Sequence, residues 1–206
     1  MEIFVVRHGQ TEWNALEKLQ GQTDIELNEV GREQAQITGE QIKNENIDLI
    51  ITSPLKRAKE TAEIINKNFN APIIEDKRLM ERGYGELEGK TRIERKMLKE
   101  ISDEIDEFWN YNKNLDTYNV EKIQQFCDRV YEILDEIKEK YQNKKILIVT
   151  HGGTSVAIKC YFMNYPLENL VGRYDIKGLK NCEVARFEEE KRINFTSAHN
   201  RKSKFT

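Results

Sequence analysis

Arg7 and His8 follow the apolar run Ile3–Val6 (IFVV). His151 and Gly152 follow a second run, KILIVT at 145–150. A third, IDLIIT at 47–52, ends in Ser53, with Arg57 a turn further on. Two arginines and two histidines at such places suit one kind of chemistry. Guanidiniums offer planar, permanent, bidentate donors to a tetrahedral oxyanion such as phosphate. An imidazole beside two cations is pushed toward its neutral form, because the charged form is repelled. A neutral imidazole is a nucleophile. The set therefore suits attack on phosphorus, with the charge on the transferring oxygens held by the arginines and the second histidine. Zinc is the rival for paired histidines. Two flanking arginines disfavour a dication, and no carboxylate or thiolate stands at either strand end, so no metal is expected.

Standing alone, an Arg-His pair after a strand reads as a solvated loop. Its meaning depends on what brings the three runs together. All three are short and apolar, the pattern of buried strands. Helices are expected between them. Residues 28 to 44 read as one, with Asn28 as N-cap. Ser53-Pro54 reads as an N-cap followed by proline at the first helical position, opening a helix to about Asn68. From 119 to 142, Ile123, Phe126, Val130, Ile133, Leu134, Ile137 and Tyr141 keep helical spacing. A further helix follows Gly153 to about Met163. Short strands are expected at 71–74, 182–187 and 192–197. This alternation predicts a three-layer α/β/α sandwich around a mainly parallel sheet. In such sheets, sites lie beyond the C-terminal strand ends. If the three strands are neighbours, Arg7, His8, Arg57, His151 and Gly152 share one edge. Helix N-termini after Ser53 and Gly153 would add backbone donors. His199 reads as surface.

The 206 residues suit one domain, 1–206. Residues 76–118 stand apart: they are charge-rich, carry the glycine-punctuated ERGYGELEG and hold the aromatics Phe108, Trp109 and Tyr111. They read as a short, lid-like helical insertion over the site. The formal net charge is −3, which makes no general electrostatic case for nucleic acid or an anionic membrane as partner. Three scattered cysteines, Cys127, Cys160 and Cys182, form no CxxC pattern, so neither a disulfide framework nor a structural zinc site is expected. MEIFVV lacks the features of a signal peptide, and no apolar run has the length to span a bilayer. A soluble, cytoplasmic protein is expected. A leaving alcohol needs a proton, and Glu81, Glu86 and Glu88 are the candidate donors; pattern alone does not choose among them.

RHG, TEWN, LNEVG, TSPLKRAKETA, ERGYGELEG and VTHGG come in this order. Together they resemble the histidine phosphatase superfamily, also called the phosphoglycerate mutase-like family, from residue 3 to at least 160. The resemblance implies roles. His8 would be the nucleophile that forms a phosphohistidine, and Arg7, Arg57 and His151 would complete the phosphate pocket. Glu81 would be the proton donor. Asn14 would contact the phosphate, while Thr11 and the Gln20-Gly21 pair would border the substrate. Trp13, Leu27 and Gly31 read as packing and turn residues. No cofactor is called for, and a homodimer is expected only by analogy.

The resemblance leaves a choice between phosphatases and cofactor-dependent phosphoglycerate mutases. Mutases of this type carry a longer lid, whereas only about 70 residues separate Glu81 from His151 here. This favours a phosphatase of the broad-specificity or small-molecule branch, acting on a small phosphorylated metabolite. A noncatalytic phosphoester-binding module is the reading of another class; the presence of His8, Arg7, Arg57 and His151 speaks against it. There are departures from the branch. Gln10 stands where a glutamate is common. Asn119, Val120 and Glu121 stand where a Gly-Glu-Ser-like element often precedes the long helix. Arg82, Lys90, Arg92, Arg95 and Lys96 make the insertion basic in places, and read as a solvated face.

Overall fold

The computed structural model describes residues 1–98, 115–169 and 176–188. Five strands form one sheet: β1 (Glu2–Arg7), β2 (Leu49–Thr52), β3 (Ile73–Glu75), β4 (Lys145–Thr150) and β5 (Val184–Glu188). The order is β3-β2-β4-β1-β5, parallel throughout except for β5, which runs antiparallel to β1. The expected mainly parallel sheet is therefore present. The three strands that carry Arg7, Ser53 and His151 lie side by side, with β4 in the middle.

Continuous apolar strands need cover on both faces, and alternate residues divide between two cores. Ile3, Val5, Leu49, Ile51, Ile146 and Ile148 pack with Phe126, Val130, Leu134 and Ile137 of α5 (Ile123–Lys140) and Val156 and Ile158 of α6 (Gly152–Phe162). Phe4, Val6, Ile50, Leu147 and Val149 pack with Ile42 of α2 (Glu29–Ile42) and Ala58, Ala62 and Ile65 of α3 (Lys56–Asn66). These are the three layers that the alternation of strands and helices implies. Asn28 caps α2 as expected, its Oδ1 accepting from the Gly31 N–H. Two short helices, α1 (Glu12–Ala15) and α4 (Arg92–Lys96), open on capping boxes at Thr11 and Thr91.

One helix start is corrected. Ser53 and Pro54 do not open α3. Leu55 keeps extended angles (φ −64°, ψ 133°), and the helix begins at Lys56. The Ser53 hydroxyl accepts from the Leu55 N–H at 3.3 Å and also serves a second partner, described below. The strand expected from 47 begins at Leu49. Within 76–118, short 3-10 turns at 77–79, 85–87 and 116–118 surround a small core of Tyr84, Leu87, Leu115 and Val120. Phe108, Trp109, Tyr111, the strand at 192–197 and His199 lie outside the described residues. The three cysteines are buried and form no disulfide. Among the described residues, no helix is long and apolar enough to cross a membrane.

Candidate active site

Strand β1 turns outward at His8, and the ring is only 2% exposed. Its Nδ1 lies 2.7 Å from the Gly9 carbonyl oxygen. A carbonyl only accepts, so Nδ1 carries the proton. Nε2 keeps its lone pair and accepts from Arg57 Nε–H at 3.2 Å. Burial, then the charges of Arg57 and Arg7, hold this imidazole well below the usual histidine range. His8 is thus neutral at physiological pH, in one tautomer, with Nε2 facing a cation.

His151 arrives from the end of β4, with ring centroids 5.1 Å from His8. Burial, then Arg57, His8 and Arg7, push it well below the usual histidine range as well. Its Nε2 meets Ser53 Oγ at 2.7 Å. The expected cap hydroxyl thus serves His151 as well as the Leu55 N–H. The other ring nitrogen, Nδ1, is buried without a hydrogen-bond partner among the described residues, as is Arg7 Nε. Buried polar atoms of this kind are rare and call for an explanation. Here both belong to groups that can bind an oxyanion.

Among the described residues, Arg7 is anchored by one side-chain bond, from Nη1 to the Leu179 carbonyl at 3.0 Å. Arg57 is fully buried on the first turn of α3. It donates to the carbonyls of Thr23 (2.8 Å) and Gly21 (2.6 Å) besides His8. Burial pushes its guanidinium down to about 10, with Glu81 opposing the shift. Burial lowers Arg7 too, and Glu81 again opposes. One carboxylate therefore faces both cations.

Geometry separates the three glutamates that pattern could not. Glu86 is exposed and reaches Asn119. Glu88 holds a loop: it accepts from the N–H groups of Gln22, Thr23 and Tyr84 and from the Thr23 hydroxyl. Glu81 is buried beside the arginines. Its Oε2 accepts from Gly153 N–H at 2.8 Å, and its Oε1 from Thr154 N–H at 3.1 Å and Arg82 N–H at 2.9 Å. A methyl group on Gly153 would sit 2.4 Å from Oε1, so only glycine lets the carboxylate reach this helix end.

The expected anion-binding helix ends are accordingly not open. The α6 N-terminus holds Glu81, and the first α3 amide, Lys56 N–H, donates to Asp24 at 2.8 Å. The remaining expected residues divide. Asn14 lies close to His8: its Oδ1 accepts from Asn181 Nδ2, which also donates to the His8 carbonyl at 2.9 Å. Thr11 caps the first short helix and bonds Asn14. Gly21 takes a left-handed φ of +55°, which turns its carbonyl to Arg57; an added methyl would strike Glu88 Oε1 at 2.0 Å. Gln20 is buried with Oε1 unpartnered among the described residues. Gly152 lies against Arg7, where a methyl would sit 3.4 Å from its guanidinium carbon. Sequence reasoning missed Leu179 and Asn181, which come from a loop with no periodic pattern. It also missed Arg129, which lies beside the apolar stripe of α5.

Comparison with known proteins fits this geometry. The sequence pattern of the histidine phosphatase superfamily (branch 1) matches residues 3–200. The chain is 43% identical over 156 residues to "Uncharacterized phosphatase PhoE" of Bacillus subtilis (strain 168), covering 76% of this chain and 74% of that one. It is 37% identical over 160 residues to "Metal-independent phosphoserine phosphatase" of Arabidopsis thaliana, covering 76% of this chain and 66% of that protein. Among solved structures, it superimposes on Bacillus stearothermophilus YhfR with a TM-score of 0.80 at 30% identity, covering 91% of this chain and 90% of that one. The protein is a phosphatase and belongs to branch 1 of the histidine phosphatase superfamily.

Proposed function

We propose that the protein hydrolyses a small phosphomonoester without a metal, through a phosphohistidine at His8. The observation that carries this is the fixed, neutral His8, whose lone-paired Nε2 faces Arg57 in a pocket shared with Arg7, His151 and Glu81. In the first step Nε2 attacks phosphorus and the bond to the leaving oxygen breaks. The Glu81 carboxyl gives its proton to that oxygen. Arg7, Arg57 and His151 hold the charge on the three transferring oxygens. In the second step water attacks phosphorus, the Glu81 carboxylate takes the proton, and the P–N electrons return to the imidazole. The guanidiniums supply the positive charge that a metal would otherwise bring. The name of the Arabidopsis relative supports metal independence and a small phosphorylated metabolite as substrate.

The test is hydrolysis of p-nitrophenyl phosphate with chelator present, parent against His8→Ala. We expect chelator-resistant turnover in the parent and a loss on the order of 10⁴-fold or more in the variant. Alkaline quenching after brief exposure to ³²P-labelled substrate should trap a base-stable, acid-labile phosphoprotein in the parent only. No turnover, combined with primed interconversion of phosphoglycerates, would make the protein a mutase instead.

A further inference from the structure

The segment entering Glu81 belongs to no sheet, yet all four of its carbonyls are held. Backbone oxygens removed from water need donors, and here side chains supply them. Thr150 Oγ1 donates to Leu79 O at 2.8 Å, Thr154 Oγ1 to Met80 O at 3.1 Å, and Gln22 Nε2 to Glu81 O at 3.0 Å. The dominant donor is Arg129 of α5. Its Nη1 donates to Arg78 O and Met80 O, both at 2.8 Å, and its Nη2 to Glu81 O at 2.9 Å. The rest of the fork grips Glu121: Nε to Oε1 at 2.7 Å and Nη2 to Oε2 at 2.9 Å. A guanidinium has five N–H donors, and these five bonds use them all. Glu121 also accepts from Gly83 N–H at 2.9 Å, and its backbone carbonyl takes Arg82 Nε at 2.7 Å. The Arg129 and Glu121 side chains are each only 19% exposed.

We infer that the Arg129–Glu121 pair is the positioning device for the acid-base group: it clamps the backbone on both sides of Glu81 and so fixes where the proton is delivered. This rests on the reading of Glu81 as proton donor. The carboxylate itself is held by Gly153 and Thr154, but its backbone is held by Arg129. A displacement of about 1 Å at such a group costs on the order of 10²-fold in rate. Lysine cannot substitute, since three donors on a point cannot serve five acceptors spread over a plane.

Leaving groups test this. p-Nitrophenolate departs without a proton, whereas an alkoxide must be given one. A role in positioning the acid therefore shows as a change in leaving-group dependence; a merely structural role lowers all substrates alike. The measurement is kcat/KM, which reports the first phosphoryl transfer, for p-nitrophenyl, phenyl and glyceryl phosphates. The chains are the parent, Glu81→Gln, Arg129→Lys, Arg129→Gln and Glu121→Gln, each checked for folding by its thermal transition. We expect Glu81→Gln to lose about 10²–10⁴-fold on glyceryl phosphate and far less on p-nitrophenyl phosphate. Arg129→Lys and Glu121→Gln should follow the same pattern with a loss of about 10²-fold on glyceryl phosphate. If Arg129→Gln does not fold, the two milder variants carry the test. Equal losses on all three substrates, or none, in folded Arg129 and Glu121 variants would overturn the proposal while Glu81→Gln still showed leaving-group dependence. No such dependence in Glu81→Gln would remove the Glu81 reading, and this proposal with it.

Discussion

The two sides of the site are built in different ways. His8, Arg7 and His151 stand at or next to the ends of neighbouring strands, and the β1–β4–β2 ladder sets their spacing. The opposite side, the loop at 20–23 and the segment at 78–88, has no ladder. It is held by side chains bonding to backbone: Glu88 to Gln22, Thr23 and Tyr84, and Arg129 to Arg78, Met80 and Glu81. A ladder cooperates over many residues, so no one side chain decides it. A clamp depends on one. The His8 side should therefore tolerate change around it, and the Glu81 side should fail when a single distant charge is removed.

Arg57 joins the two sides, since it bonds His8 on one and the Gly21 and Thr23 carbonyls on the other. Its loss should have the largest effect among the supporting residues. Arg57→Ala should lower kcat/KM by about 10³–10⁵-fold, the range for an arginine that stabilises a transferring phosphoryl group. It should also cost stability, about 1–3 kcal/mol for each carbonyl left buried and unpaired. Arg57→Lys should recover little of either, because three donors on one nitrogen cannot reach acceptors that Nε, Nη1 and Nη2 meet from three separate positions. A lysine variant close to parent in rate and urea midpoint would mean that the two sides are not coupled through this residue.

Glu88→Gln probes the loop side alone. The amide keeps one acceptor oxygen where the carboxylate offered two, so at least one of the four donors loses its bond. We expect a loss of about 1–3 kcal/mol in stability. A smaller loss in rate should follow, because Gly21 and Thr23 present their carbonyls to Arg57. Unchanged thermal and kinetic behaviour would leave the loop held by Arg57 and not by Glu88.

This contrast also explains what the sequence reveals. The strand-end residues were legible because apolar runs mark buried strands, and parallel strands deliver their ends to one edge. Among Glu81, Glu86 and Glu88, periodicity offers no choice, because the bonds that tie Glu81 to Gly153 and Thr154 and Glu88 to Gln22 and Thr23 span 65 or more positions, and Glu86 is exposed. Resemblance, and not pattern, singled out Glu81. Arg129 was invisible for the same reason: on α5 it flanks the apolar stripe, and its partners at 78–81 have no spacing rule. Glu121 was read as part of an altered segment. In the structure it keeps its carboxylate on Arg129 and the Gly83 amide, while Asn119 supplies the left-handed turn (φ 55°) that a glycine would give.

The strand-end side has its own signature in pH. His8 and His151 are both held well below the usual histidine range, first by burial and next by Arg57. Above about 6.5, the free histidine value, both folded and unfolded chains keep these rings neutral and nothing changes. Below it the unfolded chain takes up protons that the folded chain refuses. Stability therefore falls as pH falls, by up to about 1.4 kcal/mol per unit for each ring. Urea unfolding of parent and His151→Asn at pH 7.0 and 5.5 isolates one ring, since the carboxylates cancel in the difference. The variant should lose less stability over that interval. An equal loss would mean that His151 takes up its proton in the folded state.

Ser53→Ala should give the smallest effect and is the sharpest test of where the sequence misleads. Read as an N-cap, Ser53 would support α3, and its loss would cost about 1 kcal/mol of stability with no consequence for rate. In the structure α3 starts at Lys56, and the hydroxyl meets His151 Nε2 at 2.7 Å. Alanine then leaves a buried ring nitrogen unpaired, at a comparable cost of about 1–3 kcal/mol. Stability alone does not separate the two accounts; the rate does. A loosened His151 should bind the transferring oxygens less well, lowering kcat/KM about tenfold, the value of one modest hydrogen bond. Ser53→Thr, which retains the hydroxyl, should recover the rate if the larger side chain is accommodated beside Leu55. A loss of stability in Ser53→Ala with full activity would return the residue to the helix and leave His151 held by packing alone.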